Sequence, residues 1–211
     1  MKHKLLLIAL PLLASATFST AATGIYGGYL TIGGTKYKSS SSYGGTEATF
    51  NGANLGTQSA GGTLNLTQFE TLAFADSGHS TFEFAFAYRI RLNSLPTSTN
   101  PADYAFVSAN NGGSPHGVSI GGNNEKAEWT GSVNLLTGLS NGNYAIDIVH
   151  KAGAWEGGSN FERLANINST QPGSTSWGSI SPFSANFTVV PETTTSLLGA
   201  LGTLILLRRR R

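Results

Sequence analysis

Three histidines, His79, His116 and His150, are the first residues to weigh. An imidazole titrates near neutral pH and serves as a base or a metal ligand. These three stand far apart in the chain, with no pairing at ligand spacing. Asp76 and His79 are three residues apart beside a glycine turn. That spacing offers an oxygen and a nitrogen to a metal, and it equally suits a solvated turn. Ser114 lies near His116, but next to Pro115 in a Gly/Asn loop, a poor frame for a nucleophile and its base. Glycoside hydrolysis needs two acids facing a sugar cleft. Glu125 and Glu128 are the candidates by proximity, and around a hairpin they serve as well as polar edge decoration. The loop Gly121–Glu125 offers oxygens of the kind calcium takes, without a run of alternating acids. No Gly-x-Ser-x-Gly elbow, phosphate loop or His-Glu-x-x-His occurs. With no cysteine, thiol chemistry is excluded. The balance points to a non-enzymatic protein without metal or cofactor.

Aromatic side chains carry the better binding expectation. Trp129, Trp155 and Trp177 sit in or beside loops rich in Gly, Ser and Asn. A tryptophan beside amide side chains suits a sugar ring, which offers an apolar face and hydroxyl edges. Trp155 and Trp177 fall outside the clearest strand patterns and are the candidate ligand-binding pair. The other reading is that each tryptophan plugs an end of the core. Asn65, Asn168 and Asn186 each open a glycosylation acceptor pattern.

These residues must be positioned by strands. Charged residues make up only 11% of the chain, 27 residues are glycine, and long helical periodicity is absent. Alternation dominates instead. Over Thr81–Asn93, Phe82, Phe84, Phe86, Tyr88, Ile90 and Leu92 point one way. Glu83, Ala85, Ala87, Arg89 and Arg91 point the other, predicting a strand that is apolar inside and mixed outside. Further strands are predicted at Ile25–Ile32, Glu47–Phe50, Thr63–Phe69, Tyr104–Ser108, Val118–Ile120, Lys126–Leu135, Tyr144–His150 and Phe183–Val190. Glycine and asparagine turns separate them, and Lys38–Ser42 and Asn168–Ser176 read as polar surface loops. Short strands with frequent turns predict an all-β protein, a single antiparallel β-sandwich.

The two ends read as addresses. Residues 1–22 predict a secretory signal peptide: Lys2, His3 and Lys4 form a basic start, Leu5–Leu13 an apolar run, and Ser19-Thr20-Ala21 a small-x-small cleavage site. Residues 191–211 form a tail. Pro191, Glu192 and Thr193 come first, then the uncharged run Ser196–Leu207, then Arg208, Arg209, Arg210 and Arg211. Twelve apolar residues fall short of the about 20 that span a bilayer, so the run is a marginal permanent anchor. The arginines would hold it on the cytoplasmic side. Lys2, Lys4 and the four arginines are six of the thirteen basic residues, and Glu192 is one of the eleven acids. The body, residues 23–190, therefore keeps seven bases against ten acids, a net charge of −3, and shows no basic patch for nucleic acid.

The tail resembles the PEP-CTERM protein-sorting signal, with Pro191-Glu192-Thr193 standing where the family carries Pro-Glu-Pro. The resemblance implies an exosortase-type membrane enzyme and the export translocon as partners. It further implies a transient stay of a short C-terminal transmembrane helix in the inner membrane, in Gram-negative bacteria that make exopolysaccharide. The final location would be the cell envelope or the extracellular matrix. The body resembles a recurring module of secreted bacterial surface proteins. It does so through Phe50-Asn51-Gly52-Ala53-Asn54-Leu55-Gly56, Leu64-Asn65-Leu66, Phe69-Glu70-Thr71, Tyr88-Arg89-Ile90-Arg91, Trp129, Leu139–Tyr144 and Phe183–Val189. Such modules look like Ig-like or jelly-roll-like sandwiches, often beside a sorting tail. The expected role is structural or adhesive, in association with exopolysaccharide. The first alternative is a carbohydrate-binding module using Trp155 and Trp177. The second is a polysaccharide-active enzyme.

Overall fold

The computed structural model describes residues 23–39, 45–75, 79–108, 110, 117–122, 124–156, 160–165 and 182–192. Side chains at 23, 75, 79–83, 154–156 and 160–165 are not among those described. The strands are β1 (Thr23–Ile32), β2 (Thr35–Lys38), β3 (Ala48–Thr49), β4 (Asn54–Ser59), β5 (Asn65–Ala75), β6 (His79–Leu92), β7 (Ala105–Ser108), β8 (Val118–Gly121), β9 (Asn124–Asn134), β10 (Gly142–Glu156), β11 (Asn160–Ala165) and β12 (Phe183–Val190). One 3-10 turn, Pro101–Asp103, is capped by the Asn100 side chain. Among the described residues no helix is long and apolar enough to cross a membrane. The expected signal peptide and the expected helix at Ser196–Leu207 both lie outside the described residues.

The strands form two sheets. The first has the order β3-β2-β1-β5-β9-β8, and the second β4-β12-β10-β6-β7, with β11 also on β10. Alternation puts Leu30, Ile32, Leu66 and Phe69 of the first sheet against Phe84, Phe86, Ile146, Ile148 and Phe187 of the second, all buried in one core. Phe69 stacks on Phe86 at 5.0 Å between ring centroids, so an aromatic pair joins β5 to β6 across the layers. Such a pair adds about 0.5–1.5 kcal/mol beyond the area it buries.

Two departures from a purely antiparallel sandwich stand out. β3 runs parallel to β2, and β4 runs parallel to β12. Both follow from the stretch Phe50–Gly56, where the chain changes sheets. The Phe50 N–H donates to the Lys38 carbonyl of the first sheet at 2.7 Å, while Gly52 N–H donates to Ser184 of the second at 2.7 Å. Phe50 is buried, pinning the corner, and Gly52 takes the positive φ of 82° that the turn needs. Three strands, β2, β4 and β11, lie where no strand was expected.

The second correction concerns the outer face of the second sheet. The expected pattern made one face of β6 solvent-facing, yet Ala85 and Ala87 are buried, as are Val149 and Asp147 on β10. Tyr104, at the end of the 3-10 turn, closes over Ala87 and Val149, with its hydroxyl donating to Ser98 O at 2.8 Å. Burial pushes the Tyr104 phenol up to about 12. Leu92, expected to point inward, is exposed at the strand end. Beneath this cover, Arg91 donates twice to Asp147, at 2.7 and 3.0 Å, and once to Leu95 O. Ser184 donates to the same carboxylate at 2.6 Å. One bidentate cluster thus ties β6, β10 and β12 together.

Removing one partner of a buried, fully hydrogen-bonded ion pair strands the other charge, at about 3–5 kcal/mol. Arg91→Ala is therefore expected to lower unfolding free energy by that amount in a urea titration. Lys126→Ala, which breaks a partly exposed pair with Glu128, is expected to change it by about 1 kcal/mol or less. Equal losses for the two variants would contradict the structural weight given to Arg91.

Candidate functional site

His150 continues the Tyr144, Ile146, Ile148 face of β10 into the core, where it is fully buried. Its ring stands edge-on to Phe86 at 5.5 Å between centroids. Two hydroxyls from the first sheet flank it. Thr71 Oγ1 lies 3.0 Å from Nδ1, and Ser39 Oγ lies 2.5 Å from Nε2. Ser39 Oγ also donates to the Gly28 carbonyl at 3.1 Å. A hydroxyl has one proton to give, so the bonding pattern is consistent with one tautomer. Thr71 donates to Nδ1, Nε2–H donates to Ser39, and Ser39 donates to Gly28. Gly28 is glycine because a Cβ there would sit 2.6 Å from the imidazole.

This chain of Ser, His and Thr has the outline of a nucleophile, a base and an orienting group, but not the chemistry. Ser39 gives its proton to a carbonyl rather than to the imidazole, and it has no exposed surface. Burial holds His150 down at about 3, far below the range useful to a base at neutral pH. The cluster is a polar rivet between the sheets. It also corrects the expectation that Lys38–Ser42 begins a surface loop, since Ser39 is buried.

The outer face of the first sheet carries the charged groups. Glu70 of β5 faces Glu128 of β9, directly opposite in register, and Tyr29 of β1 stands opposite Glu70. Lys126 Nζ lies 2.6 Å from Glu128 and 3.8 Å from Glu70. Lys36 Nζ sits over the Tyr29 ring at 4.2 Å from its centroid. Burial, with a hydrogen bond to Glu128, raises the Glu70 carboxyl above its ordinary range, while the hydrogen bond from Lys126 lowers Glu128. Of the two, Glu70 is the more readily protonated. Two acids so divided are the raw material of acid–base catalysis. Here they are neighbours on a sheet face rather than opposite walls of a cleft, and this arrangement is a compensated charge cluster.

The other expected residues distribute as follows. Glu125 and Glu128 do not face each other: alternation along β9 turns Glu125 to the Ala127 side and Glu128 to the opposite side, and the partner of Glu128 is Glu70. Trp129 is half-buried, stacked on Phe69 at 6.0 Å and packed against the core. Trp155 lies in β10, opposite Phe161 and Ser80, and its side chain is outside the described residues, as is all of Trp177. His79 opens β6, with Asp76, Ser114 and His116 outside the described residues. Asn124 closes the β8–β9 turn by donating to Gly121 O at 3.1 Å. Among the described residues no three His, Asp or Glu side chains converge to hold a metal. Asn65 is half-buried in β5, Asn186 is exposed on β12, and Asn168 is outside the described residues.

At the C-terminal end of the body, Ala60 N–H donates to the Val190 carbonyl at 2.7 Å, closing the β4–β12 pair. Pro191 and Glu192 follow at once and are exposed, with the Glu192 carboxylate resting against Gly61. Thr193 and residues 194–211, including Arg208 to Arg211, are outside the described residues. No protein-family model, curated protein or solved structure matches the chain.

His150 supplies the prediction. A buried histidine with a lowered folded-state value contributes stability that is complete above the unfolded value of about 6.5 and lost as pH falls. Unfolding free energy is expected to hold steady from pH 8 to 7 and to fall by about 1.4 kcal/mol per pH unit between pH 6 and 5. His150→Leu is expected to be less stable throughout but to lack that slope. The same slope in wild type and His150→Leu between pH 7 and 5 would contradict a neutral, buried His150.

Proposed function

We propose that this chain is an exported, exosortase-sorted protein of the cell envelope or extracellular matrix, structural or adhesive and non-enzymatic, and associated with exopolysaccharide. The observation that carries the reading is the junction at Val190. β12 is paired on both edges, Val189 is buried, and the next two residues, Pro191 and Glu192, are exposed. A sorting enzyme must reach the motif without unfolding the body, and the exposure of Pro191 and Glu192 directly after β12 supports that reading. The body supports the same reading. It is a two-layer sandwich fastened by side-chain hydrogen bonds and an ion pair rather than disulfides, and the chain contains no cysteine. In this proposal residues 1–22 direct export, Ser196–Leu207 holds the chain briefly in the inner membrane, and Arg208–Arg211 stop translocation.

The alternative of a carbohydrate-binding module draws support from the first sheet's outer face, where the Tyr29 ring and the hydrogen-bonding groups of Lys36, Gln68, Glu70, Lys126 and Glu128 stand side by side. A polysaccharide-active enzyme gains less, because Glu70 and Glu128 sit side by side on that face.

The test is expression of the full chain in a Gram-negative host with and without an exosortase, followed by intact-mass analysis. With the enzyme, the product is expected to lack both the signal peptide and everything after the motif. Without it, or with Pro191→Ala and Glu192→Ala together, the tail is expected to remain. A tail retained equally in all three strains would overturn the sorting reading.

A further inference from the structure

A cleft of about 230 Å³ opens at one edge of the sandwich, between the β1–β2 turn and β4. Leu55 and the buried Leu64 are among its lining residues. Tyr37 lines it too, its ring held edge-on against Phe50 at 6.0 Å. Thr35, Gln58 and Thr63 complete the lining, and no charged residue takes part. The frame is held in place by its own hydrogen bonds. Gly33 N–H donates to Asn65 O at 2.9 Å, and Leu64 N–H to Asn134 Oδ1 at 3.1 Å. Gln58 Nε2 donates to Leu55 O at 2.9 Å, which fixes the amide and leaves its second N–H and its carbonyl oxygen as further hydrogen-bonding capacity.

Each property of this cleft narrows the ligand. Its volume falls below the ~300–1,000 Å³ that houses drug-sized molecules, so it takes one ring rather than an extended chain. The surface it exposes is mainly polar, and its hydroxyls and amide suit a small ligand edged with hydroxyls. An uncharged lining gives a carboxylate or sulfate no partner for its charge, which disfavours acidic sugars. Because the frame is already hydrogen-bonded, little ordering cost falls on binding.

We propose that this cleft binds a single neutral sugar ring, a terminal or branch residue of a polysaccharide. The proposal rests on the polysaccharide-associated reading above and names a site for it apart from Trp155 and Trp177. It also differs from the charged outer face of the first sheet, which would suit an acidic or zwitterionic polymer better.

The experiment is saturation-transfer NMR and calorimetric titration of the purified full chain in mild detergent. The probes are neutral cello-, xylo-, malto- and manno-oligosaccharides and, separately, alginate and polygalacturonate oligomers. Gln58→Ala and Thr63→Trp alter the cleft, Lys126→Ala serves as a control on the outer face, and urea titration checks that each variant folds. The expected result is binding of a neutral oligosaccharide that weakens about tenfold or more in Gln58→Ala, disappears in Thr63→Trp and is unchanged in Lys126→Ala. Binding that survives both cleft variants, that Lys126→Ala abolishes, or that prefers the acidic oligomers would overturn the proposal. So would no binding of any probe by the folded wild-type chain. Tail removal is read separately by intact mass, so the cleft and the sorting reading fail independently.

Discussion

Strand β10 has buried residues on both faces along its middle, and the architecture depends on how it meets that constraint. A strand in this position must satisfy every polar side chain internally, because no water is there to do so. β10 carries Asp147 and Lys151 on one face and His150 on the other, all fully buried, and Lys151 Nζ sits over the Phe106 ring at 3.9 Å from its centroid. Asp147 is met by Arg91 and Ser184, which fastens the neighbours on either side within the sheet. His150 is met by Thr71 and Ser39, which fastens the opposite sheet. The two clusters act at right angles, one along the hydrogen-bonding direction of the second sheet and one across the sandwich. The protein has no disulfide to hold its layers in register, and these polar contacts specify a register that apolar packing alone leaves loose.

How much of this was legible in the sequence depended on whether a residue's role is local. The strands at Thr81–Asn93, Tyr144–His150 and Phe183–Val190 were legible because a period of two is written in consecutive residues. His150 continues the Ile146, Ile148 face, a local signal for its burial that weighing it as an isolated histidine passed over. Thr35–Lys38 and Asn54–Ser59 gave no such signal. Both are short strands with no fully buried residue, Asn54–Ser59 at a sheet edge and Thr35–Lys38 one strand in from it, so no alternating apolar face is written there. The burial of Ser39 was hidden inside a run of serines that reads as loop. The Glu70–Glu128 pair and the Arg91–Asp147 pair join residues more than fifty positions apart. Both require knowledge of register, and a single sequence does not carry it. The parallel pairings β2–β3 and β4–β12 were hidden likewise, because they depend on the chain changing sheets at Phe50–Gly56.

In the proposed reading the ends of the chain are a delivery address, and the last strand of the sandwich, Phe183–Val190, leads directly to Pro191 and Glu192. The sandwich presents a charged, aromatic sheet face and a small uncharged cleft at different places. Neither has the enclosed, convergent carboxylates that sugar hydrolysis demands. Both suit contact with a hydrated polymer, which is what a protein delivered into a polysaccharide matrix would meet.

Association with that matrix is the central claim, and fractionation tests it most directly. The protein would be followed in a producing strain and in an otherwise identical strain unable to make exopolysaccharide, each separated into cells, extracellular matrix and cell-free medium. The account predicts that the protein is held in the matrix fraction of the first strain and moves to the medium or stays on the cell surface in the second. The same distribution in both strains would contradict it.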